Sequence, residues 1–207
     1  MDALIRYLRQ RRWARFGLSG LSVVLLLSAV GLLGYPFYTN LYQSRVQSRL
    51  DRQIASPELV ERYRNASLKV GDALTRIKIP KLNVDVVVVE GTAASALRAG
   101  AGHYPETPLP CEAGNVAIAG HRTTYGKPFA NLDRLTPGDT ITLETPIGNC
   151  TYEVTRDPFI TKPNDFSVIA NTPSARTLTL TTCHPKGSAK QRLIIKAALT
   201  TSGEVKA

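Results

Sequence analysis

The chain has 207 residues, 43% of them hydrophobic, enough to bury one sizeable core and too few for several. Thirteen prolines and fifteen glycines among many Val, Ile and Thr favour short strands and turns over a helical bundle. The net charge is +10: five arginines against Asp2 give residues 1–17 a charge of +4 and leave +6 for the rest. With no recognition helix, zinc-ligand spacing or aromatic-studded basic groove, that surplus suits an anionic envelope and argues against nucleic acid.

Leu18 to Phe37 is a run of twenty residues without a charge. At about 1.5 Å per residue a helix of that length matches a hydrocarbon core of roughly 30 Å. Arg6, Arg9, Arg11, Arg12 and Arg15 precede it, and Tyr35 and Tyr38 stand where interfacial aromatics belong. A cleaved signal peptide would have an apolar region of about 7–15 residues ending in small side chains. This run is longer, and Gly34-Tyr35-Pro36-Phe37 is a poor cleavage site. The expectation is a cytoplasmic basic tail at 1–17, a single uncleaved transmembrane helix at 18–38, and everything after it outside the cell. No later run matches its length, so no second anchor is expected.

Residues 39–72 read as an extracellular stalk. Ser56-Pro57-Glu58 is a helix start, but Leu50, Ile54, Leu59 and Tyr63 are too irregular for a coiled coil. The folded domain is expected at 73–200, followed by a tail at 201–207. Ala73 to Ile79 alternates and stops at Pro80, and Val84 to Glu90 is a near-continuous valine run buried on both faces or lining a barrel. Ala93 to Ala99 makes a helical turn or two. Asn115 to Ala119 is a strand that stops at Gly120-His121, and Phe129 to Leu135 is a short helix. Thr140 to Glu144 and Thr151 to Arg156 pair around Gly148-Asn149. A long connection from Asp157 to Arg176 leads to the strand Thr177 to Cys183, and the last strand runs from Arg192 to Leu199. About eight short strands with few helices form an antiparallel barrel or sandwich, and a closed barrel removes the exposed edges.

Three residues carry the chemistry. Cys183 could be a small buried hydrophobe, but Thr181-Thr182 before it and His184-Pro185-Lys186-Gly187 after it are not core surroundings. His121 could be a structural imidazole beside a turn, yet it opens the polar loop Arg122-Thr123-Thr124-Tyr125-Gly126. Arg192 could be a solvated strand-edge charge. Acyl transfer by a cysteine needs a thiolate, a proton donor for the leaving amine, and a cation or donors for the oxyanion. Arginine does not deprotonate, so it suits the last role only.

With these residues in view, Thr179-Leu180-Thr181-Thr182-Cys183 resembles the TLxTC signature of sortases, the envelope cysteine transpeptidases of Gram-positive bacteria. Asn115 to His121 is similar to the strand that carries their histidine, and Arg192 stands where their arginine does. The resemblance covers about residues 73–200. Gly120-His121-Arg122-Thr123-Thr124-Tyr125-Gly126, Pro128-Phe129 and Thr182-Cys183-His184-Pro185 look most like class E, the housekeeping group of high-GC actinobacteria.

The resemblance implies an eight-stranded closed sortase β-barrel with short helices. It implies Cys183 as the nucleophile on the Thr–Gly bond of a C-terminal LAxTG or LPxTG sorting signal on secreted proteins. His121 would act as general acid and base, Arg192 as oxyanion partner, and a peptidoglycan-linked amine as acceptor. Tyr125 matches a tyrosine associated with preference for LAxTG, Thr182 a threonine lining the substrate groove, and 157–176 the loop that closes over the motif. A hydrolytic cysteine protease and a non-enzymatic envelope-anchored binding module are the competing readings.

Class C is disfavoured, because Asp157-Pro158-Phe159 follows His121 where the class C lid precedes the barrel. Asp85, Glu90 and Glu112 are too scattered for a calcium cluster, and His103, His184 and Cys183 do not have zinc-ligand spacing. No metal or cofactor is expected, and the protein is expected to be a monomer. Cys111 and Cys150 are either a disulfide or two buried thiols, since pairing needs Cα atoms within about 7 Å.

Overall fold

A computed structural model describes residues 12–204, which fall into two compact units, one ending at Thr39 and one beginning at Asn40. Of the expected basic tail, residues 1–11 lie outside the described residues, as do 205–207 of the C-terminal tail. Helix α1 runs over Arg12–Ile54. In the first unit its apolar side chains, among them Leu25, Leu26, Leu32, Leu33 and Phe37, are exposed all round. A helix apolar on every face is stable in lipid or a protein core, and Phe16–Ile54 is long and apolar enough to cross a membrane.

In the second unit the end of α1 and helix α2 (Pro57–Arg64) are not a free-standing stalk, and that expectation is corrected. Ser56 caps α2 by accepting from the Leu59 N–H, and Pro57 occupies the first turn, where its missing N–H costs nothing. Leu50 and Leu59 are buried with Val87, Val89, Ala96 and Ala99, and Val46 and Ile54 pack against that cluster. Tyr63 is also buried and donates its hydroxyl to the Pro110 carbonyl at 3.1 Å. The apolar spacing looks irregular because it matches a curved sheet instead of a partner helix.

The strands are β1 (Ala73–Ile79), β2 (Val84–Glu90), β3 (Ala101–His103), β4 (Gly114–Gly120), β5 (Thr140–Thr145), β6 (Gly148–Val154), β7 (Phe159–Thr161), β8 (Arg176–His184) and β9 (Gln191–Glu204), with a short helix α3 (Ala94–Leu97) between β2 and β3. Pairing runs β6-β5-β1-β2-β3-β4-β8-β9, and β9 returns to β6, closing a barrel of eight strands. β7 lies outside the ring, pairing with the first part of β9 through Phe159↔Ile194 to Thr161↔Arg192. Ile77, Val88, Ile118, Leu143, Tyr152, Leu178, Leu180 and Ile195 fill the interior. The valine run in β2 follows from its position: Val88 faces that interior while Val87 and Val89 lie under α1 and α2.

β3, at three residues, and β7 were not expected as strands. β6 begins at Gly148 because the turn is Pro146-Ile147, with the Thr145 hydroxyl bonded to the Gly148 carbonyl and amide. β9 continues through Glu204 into the expected tail, its far half paired with β6. Cys111 and Cys150 form a disulfide, with Cα atoms 5.6 Å apart.

Candidate active site

β4 and β8 run parallel in the register Asn115↔Thr177 to Ala119↔Thr181. The Thr182 hydroxyl carries the contact one step further, donating to the Gly120 carbonyl at 2.7 Å. His121 and Cys183 therefore leave the same end of two neighbouring strands. β9 returns antiparallel on the other side of β8 and sets Arg192 directly opposite Cys183. Opposed residues in an antiparallel pair share one face of the sheet. Three residues separated by up to 71 positions thus come together at one rim of the barrel.

His121 is pinned through its backbone. Its N–H donates to the Gly100 carbonyl at 3.0 Å, and its carbonyl accepts from the Phe129 N–H at 3.1 Å. A glycine is needed before it, because a Cβ at Gly120 would sit 2.3 Å from the Phe129 ring. The imidazole is half-buried against the Tyr125 ring, with centroids 5.1 Å apart and planes tilted by 33°. Burial penalises the charged form and holds the His121 pKa below its ordinary value. The neutral imidazole, able to accept a proton, is therefore the favoured state.

Cys183 is the one free cysteine, and it is partly exposed. The peptide bond between His184 and Pro185, just after it, is cis. Arg192 is also only partly buried, and its Nη1 donates to the Ala189 and Gln191 carbonyls, each at 3.1 Å. The guanidinium is thus folded back on its own loop. Thr182 is 2% exposed and its hydroxyl is committed to Gly120. It ties the two strands together and does not line an open groove.

Sequence reasoning gave Arg122 no role. Its buried side chain places Nη1 3.1 Å from the Cys183 carbonyl and 2.8 Å from His184 Nδ1, while Nη2 lies 3.1 Å from Asp133. Because guanidinium only donates, His184 Nδ1 must accept. Arg122 thereby fastens the end of β8 to the loop after β4. Its position directly after the histidine was the only available signal.

The 157–176 connection is anchored at its centre. Asn115 Nδ2 donates to the Val168 and Ala170 carbonyls at 3.2 and 3.1 Å, and Lys196 reaches the Val168 carbonyl and, at 2.8 Å, the Thr179 hydroxyl. Burial, with Arg156 nearby, lowers the Lys196 pKa. Ile160 and Phe166 stand exposed on that connection. Among the described residues no three His, Cys, Asp or Glu side chains converge as a metal site would require.

A barrel of this topology presents at one rim a thiol, an imidazole and a guanidinium, the groups that acyl transfer by a cysteine needs. Residues 77–200 match the sortase domain family, and the chain belongs to that family. It is 32% identical to sortase SrtE1 of Streptomyces coelicolor over 89% of this chain and 60% of that one, so it spans less than two thirds of that relative. Among solved structures, a Clostridium perfringens sortase D5 transpeptidase superposes with a TM-score of 0.67 at 31% identity, covering 77% of this chain and 99% of that one. Sortase E1 from Streptomyces coelicolor, solved with a tripeptide in its active site, superposes with a TM-score of 0.60 at 30% identity, covering 66% and 93%.

Proposed function

We propose that the chain is a membrane-anchored cysteine transpeptidase of the class E kind. The observation that carries this reading is the placement of the sole free cysteine opposite Arg192 and beside the strand that delivers His121. A relative that holds a tripeptide in its active site supports a peptide as substrate.

In this mechanism neutral His121 takes the Cys183 proton, and the thiolate attacks the Thr carbonyl of a Thr–Gly bond in an LAxTG or LPxTG signal. Arg192 turns from the Ala189 and Gln191 carbonyls to the developing oxyanion. The C–N bond breaks as His121 returns the proton to the glycine amine, leaving a Cys183 thioester. A peptidoglycan-linked amine then loses a proton to His121 and attacks the thioester. An amide forms and the Cys183 sulfur leaves. Tyr125, against His121, selects Ala over Pro at the second position of the signal. Thr182 sets the spacing between the strands bearing His121 and Cys183.

The apolar stretch of α1 anchors the protein, and the arginines ahead of it keep residues 1–17 in the cytoplasm and the barrel outside, in an actinobacterial Gram-positive envelope. The partners are secreted proteins bearing sorting signals. The test is cleavage of a fluorogenic LAxTG peptide with and without a glycine-like amine. Wild type should cleave it and form the ligated product, and Cys183→Ala should do neither while remaining folded. Unchanged turnover in Cys183→Ala sinks the reading, and cleavage that never yields ligated product makes the enzyme a hydrolase.

A further inference from the structure

β3 is short and meets β2 only at Val89 and Glu90, which leaves the Val87 peptide without a strand on that edge. Buried peptide groups need partners, and α1 supplies them. Gln47 accepts from the Val87 N–H at 2.7 Å and donates to the Val87 and Ala99 carbonyls at 2.9 and 2.8 Å. One turn earlier, buried Gln43 lies against Gly126, where a Cβ would come within 2.6 Å of it. Asn40 Oδ1 accepts from the Gly126 N–H at 3.1 Å. The Tyr42 ring meets the Tyr125 ring edge-on at 6.2 Å, and Tyr125 in turn lies on His121.

The turn clamped in this way is strained. Tyr125, Gly126 and Lys127 have φ of 49°, 71° and 42°, and a left-handed conformation is unfavourable for a non-glycine residue. Such a conformation persists only where its surroundings impose it. The surroundings at this turn include Asn40, Tyr42 and Gln43 of α1.

We propose that the Asn40–Gln47 face of α1 is a positioning element of the catalytic site, holding the Tyr125–Lys127 turn so that the Tyr125 ring packs on His121. The helix that carries the membrane-crossing stretch then also fixes the histidine, so catalytic competence depends on the fold of α1 just after that stretch. The kinetic consequence rests on the transpeptidase reading, whereas the positional one does not.

The test uses the full chain in detergent micelles with ring-labelled histidine, of which there are three residues to assign. Wild type should show an upfield ring-current shift at His121 from Tyr125. In Asn40→Ala with Gln43→Ala that shift should fall by half or more, and kcat/KM for the peptide should fall about tenfold, mostly in kcat. The thermal unfolding transition should stay in place. Asn40→Asp keeps an acceptor for the Gly126 N–H and should restore both signals when Gln43 is intact. Ser44→Ala, exposed and bonded only within its own helix, should change neither. Should the double variant not fold, Asn40→Ala alone, at an exposed position, carries the same readouts.

An unchanged His121 signal in the folded variant overturns the proposal, and so does a lost signal with unchanged kcat/KM. If wild type does not cleave the peptide, the transpeptidase reading fails, and the ring-current measurement still decides whether α1 positions His121.

Discussion

Cys183 and Arg192 face each other across the β8–β9 pair, yet the Arg192 guanidinium donates to the Ala189 and Gln191 carbonyls. The backbone brings the two side chains to one face, and those two carbonyls, one before β9 and one at its start, hold the cation in the resting site. Arg192→Lys keeps a charge but loses the planar fork. Its kcat/KM for peptide cleavage should fall on the order of 10²–10³-fold, while iodoacetamide alkylation of Cys183 keeps its wild-type rate. An equal loss in both measurements would mean that Arg192 acts on the thiol and not on the oxyanion.

Arg122→Met leaves the Cys183 carbonyl and His184 Nδ1 without their buried donor. Chemical denaturation should show a loss of about 2–4 kcal/mol. Asp133 is nearly half exposed, so Asp133→Asn should cost less than about 1 kcal/mol, because solvent screens that arm of the contact.

The His121 imidazole is held below its ordinary value, near 6.5, by burial. As pH falls through that value, the unfolded chain takes up this proton before the folded one does. His121 therefore subtracts stability as pH falls, and its effect vanishes above neutrality. A histidine NMR titration should place its midpoint below about 6.5, and His121→Gln should flatten part of the loss of unfolding free energy between pH 7 and 5. A midpoint above 6.5 would contradict the burial argument.

The disulfide closes a loop with a sequence separation of 39 residues, between the segment after β3 and β6. On chain-entropy grounds it should stabilise the barrel by about 4 kcal/mol. Denaturation of a Cys111→Ala, Cys150→Ala variant should show a loss of that order. A change smaller than about 1 kcal/mol would show that the crosslink adds little to packing already formed by Tyr152 and Tyr63.

On the apolar face of α2, Leu59 is fully buried between the helices and the outer side of β2. Leu59→Ala should cost about 2–5 kcal/mol, whereas the solvated stalk first expected would make it nearly silent. Thermal unfolding of the full chain separates the two.

The bounds of β1 and β2 were legible because Pro80 ends one strand and Asn83, at φ 52°, turns the chain into the next. The strand-end placement of Cys183, His121 and Arg192 was legible because each stands where an apolar or β-branched run meets a polar segment. β3 was not: Ala101, Gly102 and His103 are too few to show a periodicity of their own and become a strand only by lying between β2 and β4. β7 is likewise defined by its pairing to β9. The packing of α1 was hidden because Gln47 and Gln53, bonded to strand backbone, stand among its apolar contacts and interrupt the pattern. Arg122 and the left-handed Tyr125 depend on neighbours from distant segments, and a left-handed backbone is not one that tyrosine favours.

The most direct measurement is intact mass spectrometry of the protein incubated with an LAxTG peptide without an added amine. A thioacyl-enzyme should appear as a Cys183 adduct equal to the peptide up to its Thr, less one water relative to that acid, which disappears when a glycine-like amine is added and never forms in Cys183→Ala. Cleavage without any such adduct, or an adduct that persists in Cys183→Ala, would contradict the thioester mechanism.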